Sequence, residues 1–291
     1  MLFFVGSTHC SRVKGVRHEV NSEVFEKVVP RGVITNSEID EASGLAASHV
    51  NPGMLWTHND SGDKARIFLL DSLGNYMATL WLTGVENRDW EDIAVGPGPD
   101  SLTSYIYIAE TGDNAGRYDS KFIYRIQEPV ISKRDTTVDE IEKITFSLPD
   151  GARDVEALVI DPLTKDLYLI TKRNTTDVYR LPYPQSTTEE IVAEKIISGL
   201  PFYLIIAADW SADGNEILIK SNRNVFYWKR QKGESIADLF RREPQVVNYK
   251  RELQGESVAF ELHGKGYYTL AEKSDNEDPV LYYYPRSRSA N

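Results

Sequence analysis

The chain has 291 residues, 41% of them apolar and 11% aromatic, enough to bury a sizeable core. Its net charge of −11 makes nucleic acid and anionic membrane surfaces poor partners, and the basic runs Lys229-Arg230-Gln231-Lys232 and Arg241-Arg242 are too short and scattered to reverse that. A single cysteine, Cys10, excludes an intramolecular disulfide.

At the N-terminus, Leu2-Phe3-Phe4-Val5 precedes Gly6-Ser7-Thr8-His9-Cys10, a pattern similar to the end of a bacterial lipoprotein signal whose cysteine carries the lipid anchor. The expectation is a cell-envelope protein, periplasmic or at the surface. The alternative is a cytoplasmic chain with an incidental cysteine. Residues 1–22 are set apart as a signal-like or disordered tail, and residues 23–291 as one domain. No other stretch approaches the roughly 18 apolar residues needed to span a bilayer.

A short motif then recurs along the chain. Its copies are Glu41-Ala42-Ser43-Gly44-Leu45-Ala46, Glu91-Asp92-Ile93-Ala94-Val95, Glu156-Ala157-Leu158-Val159-Ile160 and Glu256-Ser257-Val258-Ala259-Phe260. The spacings are 50, 65 and 100 residues, and the skipped beat is Ile206-Ala207-Ala208-Asp209-Trp210, which keeps the pattern without the carboxylate. Each copy is followed by a turn and a second strand rich in β-branched and aromatic residues, such as Tyr105-Ile106-Tyr107-Ile108-Ala109. A polar loop and a third strand follow, such as Val225-Phe226-Tyr227-Trp228, then a fourth, such as Met77-Ala78-Thr79-Leu80-Trp81. Four short antiparallel strands on a pitch near 50 residues predict an all-β fold, a β-propeller of five blades. A sixth blade, the alternative, needs about 40 more residues than the chain offers. The last unit ends after its third strand at Tyr284, so Phe25-Glu26-Lys27-Val28-Val29 is expected to supply its fourth and close the ring. The extra length between Glu91 and Glu156 falls near residues 130–142, read as an insertion on one rim.

If the Glu motif opens the innermost strand of each blade, Glu41, Glu91, Glu156 and Glu256 converge on one mouth of the central channel. The loops after the second strands lie on that face too, which adds Asp60, Asp113, Asn114, Arg173 and Asn222 as a ligand-facing set. Crowded carboxylates either protonate, pair with Arg or Lys (Arg88, Arg153, Lys172, Arg173), or bind a hard cation. Oxygen donors with few histidines select Ca²⁺ or Mg²⁺ over zinc or copper. In a catalytic reading Glu91, Glu156 and Arg153 are the candidate catalytic residues, with a Glu or Asp as general base. Equally, a Glu at a strand start can serve only to fix neighbouring blades.

The segments Glu41-Ala42-Ser43-Gly44-Leu45, Asn59-Asp60-Ser61-Gly62, Trp90-Glu91-Asp92-Ile93-Ala94, Gly112-Asp113-Asn114, Val155-Glu156-Ala157-Leu158 and Gly255-Glu256-Ser257-Val258-Ala259-Phe260 resemble the bacterial propellers grouped around phytase-like esterases, SdiA-regulated proteins and gluconolactonases. The resemblance implies an extracytoplasmic propeller with calcium at one channel mouth, held by Glu41, Glu91, Glu156 and Glu256 with Asn59. Those families usually have six blades, against five here. Three functions follow as expectations: a monomeric module binding a small molecule, glycan or protein at the loop face; a Ca²⁺-dependent hydrolase of an ester, lactone or phosphoester; or a glycoside hydrolase.

Overall fold

The computed structural model describes residue 20 and residues 23–173, 175–274 and 278–288, so Cys10 and the apolar run before it lie outside the described residues. After β1 (Val29–Val33) the chain enters the first blade through β2 (Ala42–Ala47), β3 (Met54–Asn59), β4 (Arg66–Asp71) and β5 (Tyr76–Leu82). The second blade takes β6 (Trp90–Pro97), β7 (Ser104–Glu110) and β8 (Ser120–Gln127), and, after a detour through β9 (Asp135–Val138), β10 (Glu142–Ser147). The third uses β11 (Val155–Ile160), β12 (Leu167–Thr171) and β13 (Thr176–Leu181), then a two-residue β14 (Ile191–Val192) and β15 (Glu194–Leu200). The fourth is β16 (Ile205–Trp210), β17 (Glu216–Ser221), β18 (Val225–Lys229), the helix α1 (Ile236–Arg241) and β19 (Gln245–Val247). The fifth is β20 (Ser257–Phe260), β21 (Gly266–Leu270) and β22 (Val280–Pro285), completed by β1.

The result is five sheets, each built on four antiparallel strands, in sequence order from the inside out in the first four blades and closed by β1 in the fifth. The inner strands β2, β6, β11, β16 and β20 pack against one another in a closed ring. Five apolar clusters fill the molecule, one at each interface between neighbouring blades. The interface between the first two blades shows the pattern: Trp56, Ile67 and Leu80 of one sheet face Trp90, Ile108 and Tyr124 of the next.

Closure follows the expected route with a shifted register. Val29–Val33, rather than 25–29, pairs antiparallel with β22, from Val29 opposite Tyr283 to Val33 opposite Val280. Phe25 makes only an isolated bridge to Arg286. Its fully buried ring stands edge-on to Tyr227 and Tyr267, wedged between the fourth and fifth blades. The pairing therefore starts four residues later than expected, and Phe25 plugs an aromatic pocket instead. The insertion near 130–142 also gains a role: β9 within it pairs parallel to β5 and extends the first blade to five strands.

Candidate functional site: the carboxylate mouth of the channel

The inner strands reach the channel mouth through a shared irregularity. In β6 the register steps from Trp90–Glu110 to Asp92–Ala109, in β11 from Val155–Thr171 to Ala157–Ile170, and in β16 from Ile205–Ser221 to Ala207–Lys220. The extra residues are Glu91, Glu156 and Ile206. Each is the unpaired residue of a β-bulge, a device that re-aims a side chain out of the alternating pleat. In β2 the bulge falls at Gly44, whose positive φ of 68° and close approach to His58 and Ile93 leave no room for a side chain. β20 pairs with β21 in continuous register.

The bulges correct the 50-residue alignment. Gly44, not Glu41, is the first blade's counterpart of Glu91, and Glu41 sits ahead of β2, exposed at the rim. Seven other carboxylates do converge: Asp60 from the first blade, Asp89 and Glu91 from the second, Asp154 and Glu156 from the third, Glu256 and Glu272 from the fifth. They form three linked triplets, Asp60–Glu256–Glu272, Asp60–Asp89–Glu91 and Glu91–Asp154–Glu156, with oxygens in each within 4.8 Å of one another. The fourth blade contributes none.

Burial and mutual repulsion hold protons on this cluster. Glu91 is 3% exposed, and burial followed by the nearby Glu156 and Asp60 charges raises it well above the usual carboxylate range. It donates a hydrogen bond to Glu156. Burial pushes Glu156 up to about 8, against the pull of Lys172, whose Nζ lies 2.8 Å from Glu156 Oε1. Burial also lifts Asp60 to about 6, and burial with the charges of Glu256, Asp60 and Glu41 lifts Glu272 to about 8. Carboxylates this close titrate as a unit, one proton serving two groups. Cβ-free backbone completes the cradle: at Gly112, a side chain would begin 2.2 Å from Glu91 Oε1 and 2.4 Å from Asp89 Oδ2.

Below the mouth, Asp92 closes the channel. It is fully buried, and its carboxyl accepts main-chain N–H groups from Ile93, from Leu158 at 2.9 Å and from Ala208 at 3.4 Å, tying three blades at one point. Burial raises its pKa well above the usual range, against the pull of the three N–H donors. Between the fourth and fifth blades Asp209 does the same for Phe260 N–H at 2.7 Å. Side chains of Ser43 and Thr111 reach across to the carbonyls of Glu91 and Val155.

The remaining predicted residues fall in different places. Asn59 turns its amide nitrogen away from the cluster, to Glu38 O, Asp40 and Asp63. Arg153 pairs with Asp177 at 2.5 Å and with Asp150 instead of reaching Glu156. Asp113 is buried and committed to its own loop, accepting from Arg117 and Tyr118 N–H and facing Lys121. Asn114 is exposed, and Arg173 lies 3.7 Å from Asp154 at the rim. Asn222 sits beside the loop before β16, its N–H donating to Leu204 O. Asp89, Asp154 and Glu272 join the cluster without having been among the predicted site residues. The first two had a visible signal: an Asp stands two residues before both Glu91 and Glu156.

No family model matches this chain, and no curated protein sequence matches it. Among solved structures it is similar to the PQQ-bound form of aldose sugar dehydrogenase from Streptomyces coelicolor, at 12% identity and a TM-score of 0.48, covering 90% of this chain and 98% of that one. It is also similar to U3-55K, at 11% identity and TM-score 0.40, and to the WD40 repeats of RRP9, at 11% and 0.41, each covering 84% of this chain and 67% of the other. At these values the likenesses carry nothing about chemistry. The five-bladed propeller rests on the strand pairing itself.

Proposed function

We propose that this propeller is a binding module that takes a hard divalent cation, Ca²⁺, at the carboxylate mouth and through it holds a small-molecule, glycan or protein ligand on the loop face. One observation carries the reading: seven carboxylates from four blades meet around a cradle in which even a Cβ at Gly112 would collide with Glu91 and Asp89. The donor set is all oxygen, which suits Ca²⁺. Glu91, Asp154 and Glu156 would form the buried wall, and Asp60, Asp89, Glu256 and Glu272 the outer one. The protons retained by the free cluster are what a cation would displace.

The same set supports a second reading, a Ca²⁺-dependent hydrolase of the kind the phytase-like and gluconolactonase resemblance implies, with a Glu as general base. A glycoside hydrolase built on Glu91 and Glu156 fits less well. That chemistry places its carboxyl pair about 5–9.5 Å apart around the sugar, whereas these two are hydrogen-bonded to each other. A lipid anchor at Cys10 and a place in the cell envelope belong to the proposal as well, testable by membrane fractionation of wild type against Cys10→Ser.

Calorimetric titration of the full chain with CaCl₂, with melting curves in calcium and in chelator, tests the cation. Saturable binding and a higher melting temperature are expected, both lost in Glu91→Gln with Glu156→Gln. Absence of heat and of any shift at millimolar calcium overturns the reading.

A further inference from the structure

Two lysines are fully buried among the described residues. Lys121 has an anionic partner: its Nζ lies 3.3 Å from Asp113 Oδ2 and donates to Thr111 O. Lys220, on β17, points instead toward the connection that leads into the fifth blade. Among the described residues no carboxylate stands within ion-pair distance of its Nζ, which donates to Gly255 O and lies 5.0 Å from the centre of the Tyr249 ring.

Beside this amine the structure leaves buried oxygens open. Glu252, the acid whose charge acts most on Lys220, also faces Thr269 and Tyr249. Both its carboxyl oxygens are shut off from solvent and lack a well-placed hydrogen-bond donor. Thr269 Oγ1, fully buried on β21, likewise lacks a partner. Gly255 permits the arrangement, since a Cβ there would start 2.9 Å from Tyr249 Oη and 3.1 Å from Glu252 Oε2. Buried polar atoms left open in this way are uncommon in folded proteins and cluster where chemistry is done. Glu252 also lines a cleft of about 130 Å³ with Leu253, Ala271, Glu272 and Tyr282, so its side chain joins the cleft to the surroundings of the lysine. Burial lowers Lys220 to about 8, against Glu252 and Glu256, and raises Glu252 to about 6, against Lys220. A desolvated lysine of this kind is a nucleophile.

We infer that Lys220 is a carbonyl-reactive amine that forms an imine with a small aldehyde or ketone admitted beside Glu252, with Glu252 as the proton shuttle. The nitrogen lone pair attacks the carbonyl carbon, forming the C–N bond and opening the C=O double bond. Glu252 takes a proton from the nitrogen of the adduct and delivers one to its oxygen, and the C–O bond breaks as water leaves. Amine and carbonyl compound thus give imine and water, with nothing oxidised or reduced. The site stands apart from the cation proposed at the mouth and works without it.

The test treats the full chain with propanal and cyanoborohydride near neutral pH, which traps an imine as a secondary amine, and maps modification over time by peptide mass spectrometry. Lys220 should be alkylated at least about tenfold faster than the exposed Lys27 and Lys133. Glu252→Gln should slow Lys220 about a hundredfold and leave the exposed lysines as they were. The wild-type comparison decides alone if that variant fails to fold. A Lys220 that reacts no faster than the exposed lysines, or only once urea has opened the ring, is a structural lysine and overturns the inference. So does an unchanged Lys220 rate in folded Glu252→Gln.

Discussion

The third and fourth blades share one backbone and differ in charge. Both inner strands bulge at the same register, the third at Glu156 and the fourth at Ile206. The loop opposite differs in step: Lys172 faces Glu156, while Asn222 holds the equivalent place by Ile206. Acid and counter-ion are present together or absent together, and the ring closes either way. The bulge therefore belongs to the architecture, whereas the carboxylate belongs to whatever the mouth holds. The second blade makes the intermediate case. Thr111 stands where Lys172 would, leaving Glu91 without a cation of its own, and it retains a proton and leans on Glu156.

The largest expected effect separates the ring's fastening from its charge. Asp92→Ala strands N–H groups of Leu158 and Ala208 in the sealed channel and should cost about 3 kcal/mol in chemical denaturation. Glu91→Gln, one residue away, keeps a neutral donor to Glu156 and should cost less than about 1 kcal/mol. Similar losses for both would mean that the mouth carboxylates fasten the blades, and the contrast between third and fourth blades would fail.

A transplant tests the pairing of acid and counter-ion. Glu156→Ile leaves the Lys172 ammonium, only 15% exposed, without its nearest partner and should destabilise by about 2 kcal/mol. Adding Lys172→Asn, which copies the fourth blade into the third, should recover most of that. Calcium binding should be weakened in both. A double variant no better than the single would show that Lys172 is held by Glu256 and Glu91 as much as by Glu156.

The blade count was legible because strand chemistry and turn chemistry repeat visibly on the 50-residue pitch. Glu91, Glu156 and Glu256 were legible for the same reason. Register was not. One inserted residue per inner strand is invisible to spacing, so Glu41 aligned with Glu91 by sequence although Gly44 takes its place in the pleat. Asp92 hides in the motif because an acid beside an acid reads as one more mouth residue, while the pleat sends it into the channel. The strands β9 and β14 escaped because each pairs with a neighbouring blade, a contact no local pattern encodes.

The smallest effect per variant, and the most diagnostic, is the response to pH. Folded-state pKa values of about 6 for Asp60 and about 8 for Glu156 and Glu272 lie above the ordinary values of free carboxyls, so the native state binds more protons than the unfolded chain. The stability these groups contribute is complete at acid pH and drains as pH rises through the folded values. In chelator, stability should therefore fall from about pH 4 to about pH 8, at about 1.4 kcal/mol per pH unit for each extra proton the native state holds. Calcium should reverse the fall, raising the melting temperature more at pH 8 than at pH 5.5, because at low pH protons compete for the same oxygens. Glu91→Gln removes one titratable carboxyl from beside Glu156 and should flatten the slope. Ile206→Glu should steepen it by adding an acid beside Asn222, where no lysine waits. A stability that rises with pH in chelator would mean that the mouth carboxylates are ionised and compensated in the free protein, and that the third and fourth blades differ in composition without differing in charge.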